Sequence, residues 1–232
     1  MDAKNIIDII EKFKPMSCWE DIGVTADIFK FVQPKAILEL GVGGGGWILS
    51  IDNILPDNIA FVGYEDFEQN YGLNWAGNVE DLHNYFKNQT QNYNIKIKNE
   101  NVKNLDTEYL KQLDIKFDVV RLDCLENPKD VDQLFFKILP FTSDNCIFFV
   151  DDIPPNICPG RFISYMDRVY DGILKPVWFG NKEGAWCKNT YNIYLLQNYI
   201  FQESSGKVRT TDDVNLVLYN LPYRVIRTSH GI

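Results

Sequence analysis

The feature that most constrains this chain is the run from Ala36 to Trp47, Ala-Ile-Leu-Glu-Leu-Gly-Val-Gly-Gly-Gly-Gly-Trp. An apolar stretch carrying Glu39 gives way to five glycines, at 41 and 43–46. Glycine serves where the backbone needs positive φ, or where a ligand approaches with no Cβ in the way. The pattern predicts a strand over 35–40, a tight loop, and a helix over 45–54 ending before Pro56-Asp57-Asn58. Such a loop feeds a helix N-terminus, whose free N–H groups suit a polar or anionic ligand. Gly41, Gly43 and Gly46 satisfy the dinucleotide spacing G-x-G-x-x-G. Glu39, Gly41, Gly43 and Gly45 satisfy a second pattern, E-x-G-x-G-x-G. The loop alone leaves both open.

The rest of the chain narrows the choice. Strands are expected over 60–64, 95–98, 117–122 and 146–150, and helices over 79–86, 106–113 and 127–139. Strands alternating with helices imply a parallel α/β sheet. In such sheets ligands bind outside the carboxyl ends of the strands. Glu39, Glu65, Asp123, Asp151 and Asp152 all map to that edge. Glu65 lies at the tip of the second strand, about 20 residues past the loop, where an acid accepts hydrogen bonds from ribose hydroxyls. Glu100 and Asn101, after the third strand, are candidates for the neighbourhood of an adenine.

Helical spacing over 3–14 and 24–33 makes residues 1–33 an N-terminal helical cap, with the main domain over 34–232. After residue 155 the pattern changes. A helix is expected over 161–174, an aromatic stretch over 178–191, and a helix over 193–201. Strands over 214–219 and 223–226, joined by Asn220-Leu221-Pro222, read as a terminal antiparallel hairpin. Acceptor specificity is expected within 154–213.

Composition excludes some partners. With 232 residues the chain reads as one domain. A net charge of −9 argues against nucleic acid, because phosphate binding needs a basic patch. No run of 18 apolar residues and no secretory leader is evident, so no membrane is expected and cytoplasmic residence is the default. Five scattered cysteines, with no Cys-x-x-Cys, indicate neither a zinc site nor a disulfide framework. Oligomeric state, a homodimer included, is left open.

Four stretches carry a resemblance to a family: Leu38-Glu39-Leu40-Gly41-Val42-Gly43-Gly44-Gly45, Val62-Gly63-Tyr64-Glu65, Phe117-Asp118-Val119-Val120-Arg121-Leu122-Asp123 and Phe148-Phe149-Val150-Asp151-Asp152-Ile153. Together they resemble the class I S-adenosylmethionine (AdoMet)-dependent methyltransferases, over about residues 34–153. Within that class they are similar to small-molecule and sugar O-methyltransferases of antibiotic and surface-polysaccharide pathways. Residues 183–191 loosely resemble a Trp-containing loop-to-helix element in some polysaccharide-associated members.

The resemblance implies an α/β Rossmann-like fold: seven mostly parallel strands, helices on both faces, and an antiparallel C-terminal hairpin. It implies that Gly41, Gly43 and Gly45 pass the methionine part of AdoMet and that Glu65 takes the ribose. Glu39 would support the loop through backbone N–H groups or water. Glu100, Asn101 and Asp123 would complete the cofactor set. Members that use Mg²⁺ hold it with acids after the fourth and fifth strands, here Asp123, Asp151 and Asp152. Such members often place His or Lys shortly after the first of these acids. This chain has Cys124-Leu125-Glu126-Asn127-Pro128, with its first basic residue at Lys129.

Without a metal, Asp151 and Asp152 are the first candidates to take the acceptor's proton. His83 and His230 are the only histidines. Trp178, Trp186 and Tyr191 are candidates for an aromatic acceptor wall, or equally for core. Two other readings stand beside O-methyl transfer: an NAD-dependent oxidoreductase, and a non-catalytic protein of the AdoMet fold. The oxidoreductase reading leaves Asp151-Asp152 unexplained and finds no Tyr-x-x-x-Lys.

Overall fold

A computed structural model describes residues 19–43, 45–66, 94–153, 157–203, 208–211 and 225–228. The expected helices over 3–14 and 79–86, the strand over 214–219, Gly44, His83 and His230 lie outside these residues.

The described elements are α1 (Trp19–Val32), β1 (Ala36–Leu40), α2 (Gly46–Ser50), β2 (Ala60–Glu65), β3 (Asn94–Asn99), α3 (Thr107–Gln112), β4 (Phe117–Leu122), α4 (Pro128–Ile138), β5 (Thr142–Val150), α5 (Pro159–Tyr170), β6 (Leu174–Phe179), β7 (Gly184–Lys188), α6 (Ile193–Glu203), β8 (Val208–Thr211) and β9 (Val225–Thr228). They build one sheet in the order β3-β2-β1-β4-β5-β7-β6-β9-β8. Strands β1 to β5 pair in parallel, and β7 runs antiparallel between β5 and β6. The seven-stranded sheet expected from the sequence is present, and β9 and β8 extend its edge.

The period of two along each strand sorts side chains between two cores. Ala36, Leu38 and Leu40 of β1, with Phe148 and Val150 of β5, face α3, α4 and α5. Ile37, Val119, Ile147 and Phe149 face α1, α2 and α6. Both faces are covered, so the central strands carry near-continuous apolar runs. Burying a side chain such as Phe135, Phe148 or Phe149 contributes about 1.5–3 kcal/mol.

Local chemistry sets the helix starts. Asn127 accepts the Lys129 N–H at 3.0 Å with Pro128 at the first helical position, and Asp106 caps α3 through the Glu108 N–H.

Beyond α5 the structure departs from several expectations, and for Trp178 and Trp186 it selects the core alternative. The hairpin at the sheet's reversal lies at 174–188, overlapping the end of the helix expected over 161–174 and most of the aromatic stretch expected over 178–191. Trp178 and Trp186 are fully buried strand residues, and Trp186 packs against Tyr165 and Phe179. The loop-to-helix element proposed at 183–191 is therefore mostly β7. Near the C-terminus, the strand expected over 223–226 is found at 225–228, and its antiparallel partner is 208–211.

Glycine placement gives a sharp test of the packing. Gly41 (φ +90°) and Gly172 (φ +70°) share the left-handed region. A Cβ on Gly41 would lie 2.3 Å from the carbonyl oxygen of Asp123, whereas nothing lies within 4 Å of one on Gly172. In urea unfolding Gly172→Ala is expected to lose about 1 kcal/mol from backbone strain alone. Gly41→Ala should lose at least twice as much. Equal losses would contradict the tight β1–β4 approach.

Candidate active site

The glycine loop folds back onto the tip of β2. The N–H groups of Gly41 and Val42 both donate to the Tyr64 carbonyl, at 2.9 and 3.2 Å. Gly63 leaves room for Val42, since a Cβ there would meet its Cγ2 at 2.5 Å. Gly43 and Gly45 also take positive φ, and Gly45 caps the short helix α2. The Gly43 N–H donates to Glu65 Oε2 at 2.6 Å. Burial raises the Glu65 carboxyl above its ordinary range, against the Gly43 and Asp66 N–H groups. Asn101 donates to Asp66 at 2.9 Å and caps the turn after β3 through the Lys103 N–H. The Glu100 N–H donates to the Glu65 carbonyl at 2.9 Å, closing that side of the edge.

Beneath the loop lies a charged network that the sequence reading did not assemble. The β1–β4 register sets Glu39 beside Arg121, both on the face that packs under α1. Arg121 is buried and contacts four carboxylates: Glu39 at 3.0 Å, and Asp123, Asp151 and Glu183 at 3.1 Å each. Its guanidinium also stands 5.1 Å from the Trp47 ring centroid. Glu183 sits in the β6–β7 turn and accepts the Thr25 hydroxyl of α1 at 2.9 Å. Asp21 of α1 fixes that turn by accepting the N–H groups of Asn181, Lys182 and Glu183.

Glu39 therefore does not reach the backbone N–H groups of the loop. It is fully buried, with Oε1 on Arg121 and Oε2 without a hydrogen bond. Three of these carboxylates, Glu39, Asp151 and Glu183, are buried around the one guanidinium, which favours retention of protons on them. Burial pushes Glu39 and Glu183 up to about 8, opposed by Arg121. Burial also lifts Asp151 to about 7, with Arg121 opposing and the Asp123 and Asp152 charges adding to the rise. Asp123 behaves differently: burial would raise it, yet Arg121 and Arg161 hold it below the usual range.

Asp123, Asp151 and Asp152 converge as expected, with one oxygen from each within 4.8 Å of the others. Arg161, at the start of α5, enters this cluster. Its Nη1 donates to Asp123 Oδ1 at 3.2 Å and to the Asp151 carbonyl at 3.0 Å, and lies 3.9 Å from Asp152 Oδ2. Its Nε donates to the Leu125 carbonyl at 2.8 Å. Gly160 makes this approach practicable, because a Cβ there would lie 1.9 Å from the Glu126 carbonyl oxygen. Lys182 stands 3.9 Å from Asp152 Oδ1.

No protein-family model matches the chain, and no curated protein matches it in sequence. Solved structures do match. TomG from Streptomyces achromogenes, an O-methyltransferase of tomaymycin synthesis in complex with AdoMet, aligns with TM-score 0.54 and 13% identity, covering 81% of this chain and 91% of its own. CalS11, the TDP-rhamnose 3'-O-methyltransferase of calicheamicin biosynthesis, aligns with TM-score 0.56 and 15% identity, covering 81% and 87%. An O-methyltransferase from Bacillus cereus, in complex with S-adenosylhomocysteine, aligns with TM-score 0.51 and 13% identity, covering 81% and 90%. The chain has the fold of the AdoMet-dependent O-methyltransferases.

In this methyltransferase fold the three acids are the donor set a hard divalent cation would use. The arrangement does not fit one. Asp123 Oδ1 accepts from Arg161, and Arg121 forms ion pairs with Asp123 Oδ2 and Asp151 Oδ2, each at 3.1 Å. Arg161 Nη1 bonds Asp123 Oδ1 and the Asp151 main-chain carbonyl, and lies 3.9 Å from Asp152 Oδ2. Only Asp151 Oδ1 is buried without a hydrogen bond among the described oxygens of the triad. Among the described residues, no helix is long and apolar enough to cross a membrane.

The residues missed from sequence were Arg121, Glu183, Arg161, Asp21 and Thr25. The signal for Arg121 was present: a charge at an inward position of an apolar strand, laterally opposite another such charge in the neighbouring strand. Truncating Arg121 to Met would strand buried carboxylates, a loss of about 3–5 kcal/mol at pH 8. The loss should be smaller at pH 5, where those groups hold protons. In the folded wild type, burial pushes Glu39 and Glu183 from the ordinary carboxyl value of 4.5 up to about 8. The folded chain thus binds more protons in that window, and stability should fall as pH rises through it. Urea unfolding at both pH values checks both statements. An Arg121→Met loss equal at pH 5 and 8 would contradict them.

Proposed function

We propose that the chain is an AdoMet-dependent methyltransferase acting on a hydroxyl of a small-molecule or sugar acceptor. The observation that carries this reading is the pairing of the glycine loop with Glu65 at the same sheet edge as Asp123, Asp151 and Asp152. The Gly43 N–H and the Glu65 carboxylate present a donor and an acceptor side by side. A bound ribose diol would compete for Glu65, while the methionine portion would lie along the glycines.

The chemistry needed from the protein is modest. The acceptor O–H proton passes to a carboxylate, and the oxygen lone pair forms the new C–O bond to the sulfonium methyl carbon. The S–C bond breaks with its electron pair going to sulfur, which leaves S-adenosylhomocysteine. Holding oxygen, carbon and sulfur in line supplies much of the acceleration. Asp151 is the group best suited to take the proton. Its Oδ1 is buried and accepts no hydrogen bond, and its proton affinity is raised to near neutrality. Asp152, beside it, holds φ +54° and is anchored loosely by Arg161 and Lys182, each at 3.9 Å.

The reversed β7 between β5 and β6 speaks against the dinucleotide alternative, whose sheet order is 3-2-1-4-5-6. Similarity to CalS11 favours a sugar acceptor, and the sequence motifs favour a place in a surface-polysaccharide or natural-product pathway. A cytoplasmic enzyme drawing on the cytosolic AdoMet pool fits this reading.

Calorimetric titration with S-adenosylhomocysteine and, in parallel, NAD⁺ tests it. The wild type should bind S-adenosylhomocysteine with Kd of about 1–100 µM, or about −8 to −5.5 kcal/mol. Glu65→Ala should weaken that binding at least tenfold, and NAD⁺ should give no heat. Binding of NAD⁺ alone would sink the methyltransferase reading.

A further inference from the structure

The acidic triad already contains a cation of the protein's own. Arg161 Nη1 bonds Asp123 Oδ1 and the Asp151 carbonyl, and bears on Asp152 Oδ2. The side chain is itself buried, and its position is fixed from behind. Nε is tied to the Leu125 carbonyl, and the first turn of α5 is pressed on Glu126 where Gly160 lacks a side chain. Arg121 pairs with Asp123 Oδ2 and Asp151 Oδ2, each at 3.1 Å. A divalent ion coordinated by these three acids would have to share their oxygens with two guanidinium groups. The β4–α4 connection, Cys124-Leu125-Glu126-Asn127-Pro128, supplies no basic side chain of its own, and Arg161 reaches the cluster from α5 instead.

We propose that the Arg161 guanidinium stands in place of a divalent cation in this chain, so that methyl transfer runs without a bound metal. The inference rests on the methyltransferase reading of the site. It assigns Arg161 as a positioning residue: it holds Asp123 and the Asp151 main chain while making no bond to the buried Asp151 Oδ1. A divalent ion would gather two acceptor hydroxyls and acidify one. A guanidinium has no coordination shell to offer, so the acceptor proton goes directly to carboxylate. One unactivated hydroxyl then suffices, and a vicinal diol is not required of the acceptor.

Electron paramagnetic resonance titration of the full chain with Mn²⁺ tests the proposal. The acidic surface will hold some Mn²⁺ loosely, so Asp123→Asn serves as the baseline. The wild type should match that baseline up to about 1 mM Mn²⁺, the weak end of carboxylate sites. Arg161→Ala should gain one Mn²⁺ above baseline, and Arg161→Ala/Asp123→Asn should lose it again. Arg161→Lys should stay at baseline. Methyl transfer by the wild type should be unchanged by EDTA.

A wild-type site binding one Mn²⁺ and abolished by Asp123→Asn would overturn the proposal. So would an Arg161→Ala protein that gains none, or activity lost in EDTA and restored by Mg²⁺. Should Arg161→Ala not fold, Arg161→Met keeps more of the volume and the wild-type titration still decides. S-adenosylhomocysteine binding on the same preparations separates this outcome from failure of the methyltransferase reading itself.

Discussion

The buried guanidinium of Arg121 is the interaction on which the rest of the site depends. It joins β1 through Glu39, the end of β4 through Asp123, the end of β5 through Asp151, and the β6–β7 turn through Glu183. Taking such a group out of water costs several kcal/mol, and only close, well-oriented acids offset that cost. The strands must therefore keep their register, since a one-residue slip would turn Arg121 to the other core. The same constraint fixes where Asp123 and Asp151 stand at the sheet's carboxyl edge. Structural and chemical roles meet in one residue.

The network also ties the first described helix to the chemistry. Thr25 bonds Glu183, and Asp21 gathers the N–H groups of the turn that carries Lys182 and Glu183. Gly180 is required there, because a Cβ would lie 2.2 Å from Asp21 Oδ1. Ile22, Val24, Ile28 and Phe29 bury the same helix in the core beneath the sheet. Helix α1 thus sets the position of an acid that faces Arg121. Excess carboxylate in this region is met by retained protons and by Arg161.

Much of the fold was legible because its signals are local. Apolar strands ending in acids, the Asn127-Pro128 helix start and the glycines at 41, 43 and 45 all state their structure within a few residues. Convergence of Glu65, Asp123, Asp151 and Asp152 followed from the parallel sheet alone. The missed features are those in which a residue's meaning comes from distant chain. Arg121 reads as an oddity in β4 until β1 is placed beside it, and Arg161 reads as an ordinary helix residue until Gly160 brings α5 against Glu126. Trp178 and Trp186 were ambiguous for a different reason. In 174–179 and 184–188 every residue but Lys175 and Lys188 is apolar or small, so periodicity could not separate a buried hairpin from a cleft wall.

The central claim is that one sheet edge binds AdoMet over the glycine loop and presents its methyl group to Asp151 and Asp152. The most direct measurement is a crystal structure of the S-adenosylhomocysteine complex. The expected result has ribose hydroxyls on the Glu65 carboxylate, the methionine portion along Gly41 to Gly45, and the sulfur facing Asp151. Arg121 should keep all four of its acids. S-adenosylhomocysteine bound elsewhere, or bound here with its sulfur turned away from Asp151 and Asp152, would contradict the claim.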